Sequence, residues 1–355
     1  MKALDRYIVK EVLKGTFIAL LMLYTLFNLF TFNDELRSRG VGSYDLQHIF
    51  MYLGLMVPHY IYELMPSSAL LGSLFVLGNM ANNRELVAMR ASGVSLLGII
   101  RSVLIAGAIL TALSFAIGEF IGPQWERKAK VLKNSAKTNR PIAITASGMW
   151  LRDGNQFINV KESYTQGQVG NIYTYSLDDE RNLKEVVYAK KGSLLKKGQW
   201  LLKDVQVSEL SLQQVKVQHL MEKQWHSSVD NKVLDIVVLD PENLALVELS
   251  KYIDFLKQNK QNFAKYELAF WARAINPFVT LVMLLVAAPF VLVVGRGVAM
   301  GPRMVMGVLI GMSFNIIDNS VGQMGIVYGL NPLFVAIFPS LLVLLSAIYA
   351  ISRLR

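Results

Sequence analysis

The chain has 355 residues, of which 53% are hydrophobic and 17% are charged, and its formal net charge at pH 7 is +10. This composition argues against a soluble enzyme, because the charged residues are also concentrated between long apolar runs. Without cysteine the chain has no disulfide, thiol nucleophile or cysteine-ligated metal site, and its four histidines lack the spacing of a metal-binding motif. We therefore predict a polytopic membrane protein with no metal or cofactor of its own.

Six apolar runs are each long enough to cross a bilayer, since about 20 helical residues span roughly 30 Å of hydrocarbon. Three precede and three follow a polar insert at 123–266, so the sequence divides into membrane halves at 1–122 and 267–355 and the insert between them. The first run is predicted to be a retained span, because it is longer than a signal-peptide core and no small-residue cleavage site follows it. The predicted spans are 15–33, 47–78, 96–122, 268–294, 304–327 and 332–351.

The second apolar run is longer than one crossing requires, and it must therefore tilt, project or break. Pro58 and Pro66 are the expected places for a break, because proline removes a backbone hydrogen-bond donor and clashes with the preceding turn.

The segment 80–95, between the second and third runs, has the pattern of a short amphipathic helix. Leu86 and Met89 share one helical face, whereas Glu85 and Arg90 point elsewhere. A segment of this kind exceeds what a plain connecting loop needs. A short helix on the cytoplasmic surface is how the membrane subunit of an ABC transporter docks a separate ATPase.

Basic residues near the span ends predict the orientation, because cytoplasmic loops are enriched in lysine and arginine. Six alternating crossings place these residues on one side, so we expect both termini in the cytoplasm and the insert at 123–266 outside it. The residues that support this orientation are Lys2, Arg6, Lys10, Lys14, Arg84, Arg90, Arg101, Arg296, Arg303, Arg353 and Arg355.

The polar insert is predicted to be mainly β structure. An Asp153-Gly154 turn separates two short runs, and the stretches 170–177 and 200–210 alternate apolar with polar residues. Turn signals recur at the spacing of an antiparallel sandwich or roll. Helical sequence flanks the strands, at 125–135 on entry and 249–269 on exit.

Enzymatic chemistry has little support, because the sequence contains no P-loop and no clustered Ser, His and Asp arrangement. The intramembrane acids Glu63 and Asp318 carry more information, since a charged side chain at a helix centre costs roughly 2.5 to 3.5 kcal/mol. They fit either a proton or ion relay, or a polar contact that joins helices or faces a water-filled cavity. Glu119, near the end of the third span, is a further acid of this kind.

Several short motifs follow one another in a distinctive order from one end of the sequence to the other. They are Asp5-Arg-Tyr-Ile8, Arg84-Glu-Leu-Val-Ala-Met-Arg-Ala-Ser-Gly93, Gly118-Glu119, Gly148-Met-Trp-Leu-Arg-Asp-Gly-Asn155, Trp200-Leu-Leu-Lys-Asp-Val205, and Met300-Gly-Pro-Arg303 with Asp318. With these motifs the chain resembles the lipopolysaccharide-export permeases of the LptF/LptG (YjgP/YjgQ) family, and its details are closer to the LptG branch.

The resemblance implies a half-permease that pairs with the sister permease LptF and docks an LptB ATPase dimer, in which ATP and Mg are bound. Such a permease extracts lipopolysaccharide from the inner membrane of a Gram-negative bacterium and passes it to the β-jellyroll proteins LptC and LptA. The insert at 123–266 would then be a periplasmic jellyroll that continues into this bridge toward the outer membrane. No nucleic-acid partner is implied.

The resemblance also assigns the contact with the ATPase to the segment 80–95. Glu85 is expected to make the central contact, and the residues expected around it are Arg84, Leu86, Met89 and Arg90.

The resemblance also implies lipid contacts at two places. In the family, basic residues near the outer end of the first span meet lipid phosphates, and here that stretch offers Arg37 and Arg39, whose guanidinium groups can bind phosphate through bidentate, charge-assisted bonds. The neighbouring Asp34 and Glu35 weaken the local positive field. The first and fifth spans are expected to line the lateral gate, where the candidate acyl-chain contacts are Leu26, Phe27, Phe30, Phe314, Ile317 and Val321.

Two other functions fit the same sequence. An ion-coupled secondary transporter would use Glu63 and Asp318, whereas a membrane scaffold for an envelope complex would have no transport cycle. A secondary transporter differs from an ATPase-driven permease in that its transport does not depend on ATP. A scaffold differs from both in that Glu85 substitutions would not affect lipid export.

Overall fold

A computed structural model describes residues 3–138, 149–164, 168–178, 180, 182–196, 198–211, 214–227, 244–293 and 300–353. The chain forms two compact units. The helical unit comprises Met1–Asp34, Leu55–Trp125 and Ala264–Arg355, and the β unit comprises Glu35–Gly54 and Glu126–Phe263. Among the basic residues used to predict the orientation, Lys2, Arg296 and Arg355 lie outside the described residues.

The helices follow the apolar runs and extend beyond most of them. A π-helical turn at Ile117–Ile121 joins α5 to α6. The helices are α1 Ala3–Leu36, α2 Leu46–Leu55, α3 Val57–Asn82, α4 Glu85–Ala91, α5 Leu96–Ala116, α6 Gly122–Thr138, α7 Leu246–Gln258, α8 Ala264–Val293, α9 Met300–Val327 and α10 Pro332–Ser352. Among the described residues, six helical segments are long and apolar enough to cross a membrane, which confirms the predicted number of spans.

The second span breaks between α2 and α3, at Met56. Pro58 lies in the first turn of α3, where a missing backbone N–H costs nothing because the first turn has no intrahelical partner for it. Pro66 lies inside α3, which continues past it to Asn82. The break therefore occurs at one of the two expected prolines.

The core of the helical unit is formed by residues from several spans. Ile8 of α1, Leu70 of α3, Val103 of α5 and Leu284 of α8 are almost fully buried within one cluster. The spans contribute unequally to this core. In the α2–α3 span, 78% of the residues of its apolar 18-residue stretch are buried, whereas in α1 only 11% are. The apolar surface of α1 is therefore available for lipid or another protein chain.

The described strands form a single antiparallel sheet in which each strand pairs with its sequence neighbours. Gly154 has a φ of +59° and closes the first hairpin, as the Asp153-Gly154 sequence predicts. The strands are β1 Met149–Asp153, β2 Gln156–Tyr164, β3 Gln168–Leu177, β4 Leu183–Lys196, β5 Gln199–Leu210 and β6 Val215–His226. This sheet confirms the β insert within a helical membrane protein.

The alternation of buried side chains shifts by one residue near the middle of the long strands. In β5 the buried side chains are Trp200 and Leu202 before Asp204, and Val205 and Val207 after it. Asp204 has a φ of +54°, and Asn171 has a φ of +48° at the corresponding level of β3. Local bends of this kind allow a strand to pass from one layer of a sandwich to the other.

Helical connectors flank the sheet, but the exit connector is not continuous. The helix α7 ends at Gln258, Lys260 follows with a φ of +53°, and α8 begins at Ala264. The helical pattern predicted for 249–269 is therefore divided by a turn. Residues 35–54 cluster with the β unit, where Ser43 donates its backbone N–H to the carbonyl oxygen of Ala136 at 2.8 Å.

Candidate coupling segment and intramembrane polar sites

The helix α4 is short, and its C-terminal end is capped. Its last turn closes with a Schellman motif, in which Val94 N–H donates to the Met89 carbonyl and Gly93 N–H donates to the Arg90 carbonyl, both at 3.0 Å. Gly93 has a φ of +88°, which the motif requires and glycine adopts at low cost. The Ala-Ser-Gly-Val sequence thus fixes where α4 stops.

The two faces of α4 differ as its amphipathic pattern predicts. Leu86 is 5% exposed within the core of the helical unit, and Met89 packs against the same core. Arg84 and Arg90 are exposed, and Glu85 is partly exposed. The apolar face therefore anchors α4 to the spans, while its charged side chains are available to another protein.

Glu85 is connected to the start of α1. The Tyr7 hydroxyl donates to Glu85 Oε2 at 2.9 Å. Two residues earlier, Asp5 Oδ1 accepts a hydrogen bond from the Ser102 hydroxyl of α5 at 2.8 Å. Sequence reasoning placed Tyr7 in a motif but did not pair it with Glu85, because nothing in the local pattern relates residues that are 78 positions apart.

The residues expected to contact acyl chains differ in exposure. Leu26, Phe27 and Phe30 are 41% to 61% exposed on α1, and Ile317 is 47% exposed on α9. Phe314, by contrast, is 8% exposed and belongs to the core of the helical unit. The sixth candidate, Val321, is partly exposed.

Arg37 and Arg39 are exposed in the turn that follows α1. Of the two neighbouring acids, Asp34 is exposed and Glu35 is buried. Glu35 accepts hydrogen bonds from Lys133 Nζ and from the Tyr44 hydroxyl. Lys133 therefore neutralises one of the two acids that weaken the field around the arginines.

Tyr44 and two lysines of α6 form the surroundings of Glu35. Lys133 Nζ lies 4.9 Å from the centre of the Tyr52 ring, and Lys137 Nζ lies 5.2 Å from that of Tyr44. Burial, followed by the charge of Glu35, raises the pKa of the Tyr44 phenol far above its usual range. These contacts tie the 35–54 segment to α6. Sequence reasoning did not identify Lys133, whose partner lies 98 positions away.

Glu63 and Asp318 line the same small cavity, of about 50 Å³, between spans of the helical unit. His59 Nε2 lies 3.4 Å from Glu63 Oε2. The remaining polar residues of the lining are Ser67, Asn276, Asn315 and Ser340. The structure thus brings together two of the three intramembrane acids that the sequence singled out.

Arg273 of α8 forms a second buried polar site, at the π-helical turn. Its Nε lies 3.7 Å from Glu119 Oε2, and its Nη2 donates to the Gly118 carbonyl. Its guanidinium carbon lies 5.4 Å from the centre of the Tyr62 ring, and the Tyr62 hydroxyl donates to the Arg273 carbonyl at 3.1 Å. A Cβ at Gly118 would lie 2.2 Å from that ring, so only glycine fits there. Sequence reasoning noted Glu119 but missed Arg273.

Among the described residues, no group of three or more His, Asp and Glu side chains could hold a metal ion.

Comparison with known proteins identifies the family. The model of the lipopolysaccharide export system permease LptF/LptG matches residues 6–353. The chain belongs to the LptF/LptG family.

The chain matches LptG relatives over nearly its full length and an LptF relative over about half of it. The chain is 32% identical to the lipopolysaccharide export system permease protein LptG of Haemophilus influenzae over 100% of this chain and 99% of the relative. It is also 32% identical to LptG of Escherichia coli K12, over 99% of this chain and 98% of the relative. LptF of Escherichia coli K12 is 27% identical over 53% of this chain and 52% of its own length.

Proposed function

We propose that this chain is the permease subunit of an ABC transporter that extracts lipopolysaccharide from the inner membrane and passes it toward the outer membrane. The full-length match to the LptF/LptG family supports the substrate and the role. The chain itself is not an enzyme in this proposal, because a separate ATPase supplies the energy.

Energy enters at α4, where an LptB ATPase dimer docks and binds ATP and Mg. The observation that carries this step is the division of α4 into a buried apolar face and an outward charged side, between the second and third spans. Glu85 meets a basic group of the ATPase, and Arg84 and Arg90 border the contact. Leu86 and Met89 hold the segment to the spans, so that its movement is passed to them.

Lipid is held by the exposed surfaces of the first and fifth spans. Leu26, Phe27 and Phe30 on α1 and Ile317 on α9 offer apolar area for acyl chains. Val321 borders this surface, and Phe314 supports it from the core. Arg37 and Arg39 receive the lipid phosphates at the end of α1, where Lys133 already neutralises Glu35.

The β unit receives the lipid and continues toward the LptC and LptA bridge. Support comes from β6, an end strand of the described sheet on which Val215, Val217 and Met221 are 51% to 90% exposed. The edge strand of a sheet can pair with another β domain. The bends at Asn171 and Asp204 are compatible with a two-layered jellyroll.

The proposal includes a sister permease, LptF, with which this chain forms the transport path. The low burial of α1 supports a second chain or lipid against it. Both termini lie in the cytoplasm and 123–266 lies in the periplasm, as the basic residues near the span ends favour.

Co-purification of the charge reversal Glu85→Lys tests the proposal. Wild-type chain extracted in detergent should carry an ATPase and a sister permease, and it should release lipopolysaccharide only with ATP. Glu85→Lys should remain folded but lose the ATPase and the transport. The control is Glu209→Lys, an equal charge reversal at an exposed position of β5. A Glu85→Lys complex with normal ATPase content and transport would contradict the docking role.

A second candidate function is ion-coupled transport, and the cavity shared by Glu63 and Asp318 is the observation that favours it. In that case transport would depend on Asp318 and persist without ATP. A scaffold without a transport cycle would instead leave lipid export unchanged in Glu85→Lys.

A further inference from the structure

The first turns of α1 are held by three other helices of the helical unit. Tyr7 bonds to Glu85 of α4, and Asp5 bonds to Ser102 of α5. The contact between α1 and α3 is a close approach of their backbones at Gly15 and Gly72. A Cβ at Gly15 would lie 2.7 Å from the Gly72 carbonyl oxygen, and a Cβ at Gly72 would lie 2.4 Å from the Thr16 nitrogen. The start of α1 is therefore linked to α4 by one hydrogen bond, and to α5 and α3 by separate contacts.

Tyr7 lies at the edge of a buried apolar contact. Its neighbour Ile8 is fully buried, as is Val12 one turn later, and both belong to the cluster that contains Leu86. Tyr7 itself is 42% exposed. Ile8 and Leu86 belong to the same buried cluster, and the Tyr7 hydroxyl adds a directional link from α1 to the Glu85 carboxylate.

The helix α1 continues without a break from these contacts to the exposed apolar residues. It contains 34 residues and no proline, so its length is roughly 50 Å. Tyr7 lies roughly 12 Å along the axis on one side of Gly15, and Phe30 lies roughly 22 Å away on the other. With the close Gly15–Gly72 contact as a pivot, a displacement at Tyr7 would be about doubled at Phe30.

We propose that Tyr7 is a positioning residue that links Glu85 to α1. Movement of α4 then tilts α1 about the contact between Gly15 and Gly72, and this tilt shifts the acyl-facing residues near Phe30. The inference rests on the proposed function, since it requires an ATPase that moves α4.

The link does not compete with docking. A carboxylate has two oxygens and about four acceptor positions, and Tyr7 occupies one of them on Oε2. Glu85 can therefore bind a basic group of the ATPase while it keeps the hydroxyl of Tyr7. Docking and the link to α1 pass through the same side chain.

The test is the amount of lipopolysaccharide released per ATP hydrolysed by the complete purified complex in nanodiscs. Tyr7→Phe removes the hydroxyl and keeps the ring. We expect the complex to assemble and hydrolyse ATP normally, while the lipid released per ATP falls about 5-fold, at the low end of coupling between sites.

Tyr349→Phe is the matched control, because it removes a hydroxyl that accepts from Arg353 Nη2 at 2.8 Å on α10. It should leave the ratio of lipid to ATP unchanged. A wild-type ratio in Tyr7→Phe would overturn the link while the proposed function stands. If wild-type chain neither retained an ATPase nor released lipid with ATP, the proposed function itself would fail. A loss of folded complex in Tyr7→Phe would also count against the proposal, because it would make Tyr7 a structural residue.

Discussion

Arg273 Nε lies 3.7 Å from Glu119 Oε2 inside the helical unit, and the two side chains are 10% and 11% exposed. Removing one partner of a buried ion pair leaves a charge without its counterpart. We expect Arg273→Met to lower the free energy of unfolding by about 3 kcal/mol. Thermal unfolding of the purified chain in detergent measures this loss.

The double variant Arg273→Met with Glu119→Gln is the control for that prediction. It removes both charges, so it should be more stable than Arg273→Met alone. Equal instability of the two variants would show that the guanidinium acts through Gly118 and Tyr62 rather than through Glu119.

A second prediction concerns the buried Glu35 of the β unit. Lys133→Met should destabilise this unit by about 3 kcal/mol, because the carboxylate stays buried and loses its cation. Lys137→Met is the matched control, since Lys137 stacks on Tyr44 but makes no described ion pair. Protease susceptibility of the 35–54 segment reports the effect. Similar digestion of both variants would argue against the role of the ion pair.

The stability of the folded chain should depend on the ionisation of Tyr44 at alkaline pH. Burial and the charge of Glu35 raise the pKa of its phenol in the folded state, so folding is favoured while the phenol is protonated. Its stabilising contribution should be complete below the unfolded pKa of about 10 and decline as the pH rises further. The melting temperature measured across this range should fall less steeply in Tyr44→Phe. An unchanged slope would contradict the prediction.

The contact between α1 and α3 depends on the absence of a side chain at Gly72. A methyl group there would meet the backbone of Thr16 at 2.4 Å, so Gly72→Ala should destabilise the helical unit by about 1 to 3 kcal/mol. At Gly54 of α2 a Cβ would meet nothing within 4 Å. Gly54→Ala should therefore be neutral or slightly stabilising, as alanine favours helix. Melting curves that do not separate the two variants would refute the close contact.

The shared cavity of Glu63 and Asp318 leads to a prediction that separates the two candidate functions. Asp318→Asn keeps the size of the side chain and removes its charge. An ATPase-driven permease should retain most of its lipid release in this variant and lose all of it when ATP is depleted. Lipid release from proteoliposomes, measured with and without ATP, decides between the two candidate functions. Release that is lost in Asp318→Asn and persists without ATP would favour ion coupling.

The spans and strands could be predicted because their signals are local. A run of about 20 apolar residues identifies a crossing, and alternation identifies a strand such as β5. The end of α4 was also encoded locally, in Gly93. Bends at Asn171 and Asp204 were not predicted, because a single polar residue within an alternating run gives no sign of a positive φ.

The polar contacts of the candidate sites were missed for a different reason. Tyr7 and Glu85 are 78 positions apart, Glu35 and Lys133 are 98 apart, and Gly118 and Arg273 are 155 apart. Periodicity places a residue on a face of its own helix and does not identify the helix opposite. Glu63 and Asp318 could be singled out only because charge is costly within a span.

The assignment of residues 35–54 to the β unit affects how that unit can be exchanged between proteins. The chain passes between the two units four times, after Asp34, Gly54, Trp125 and Phe263. A fragment limited to 123–266 would lack Tyr44, leave Glu35 behind and uncover the Ala136 carbonyl that Ser43 satisfies. The β unit is thus a discontinuous module, and a working chimaera has to transplant both of its segments together.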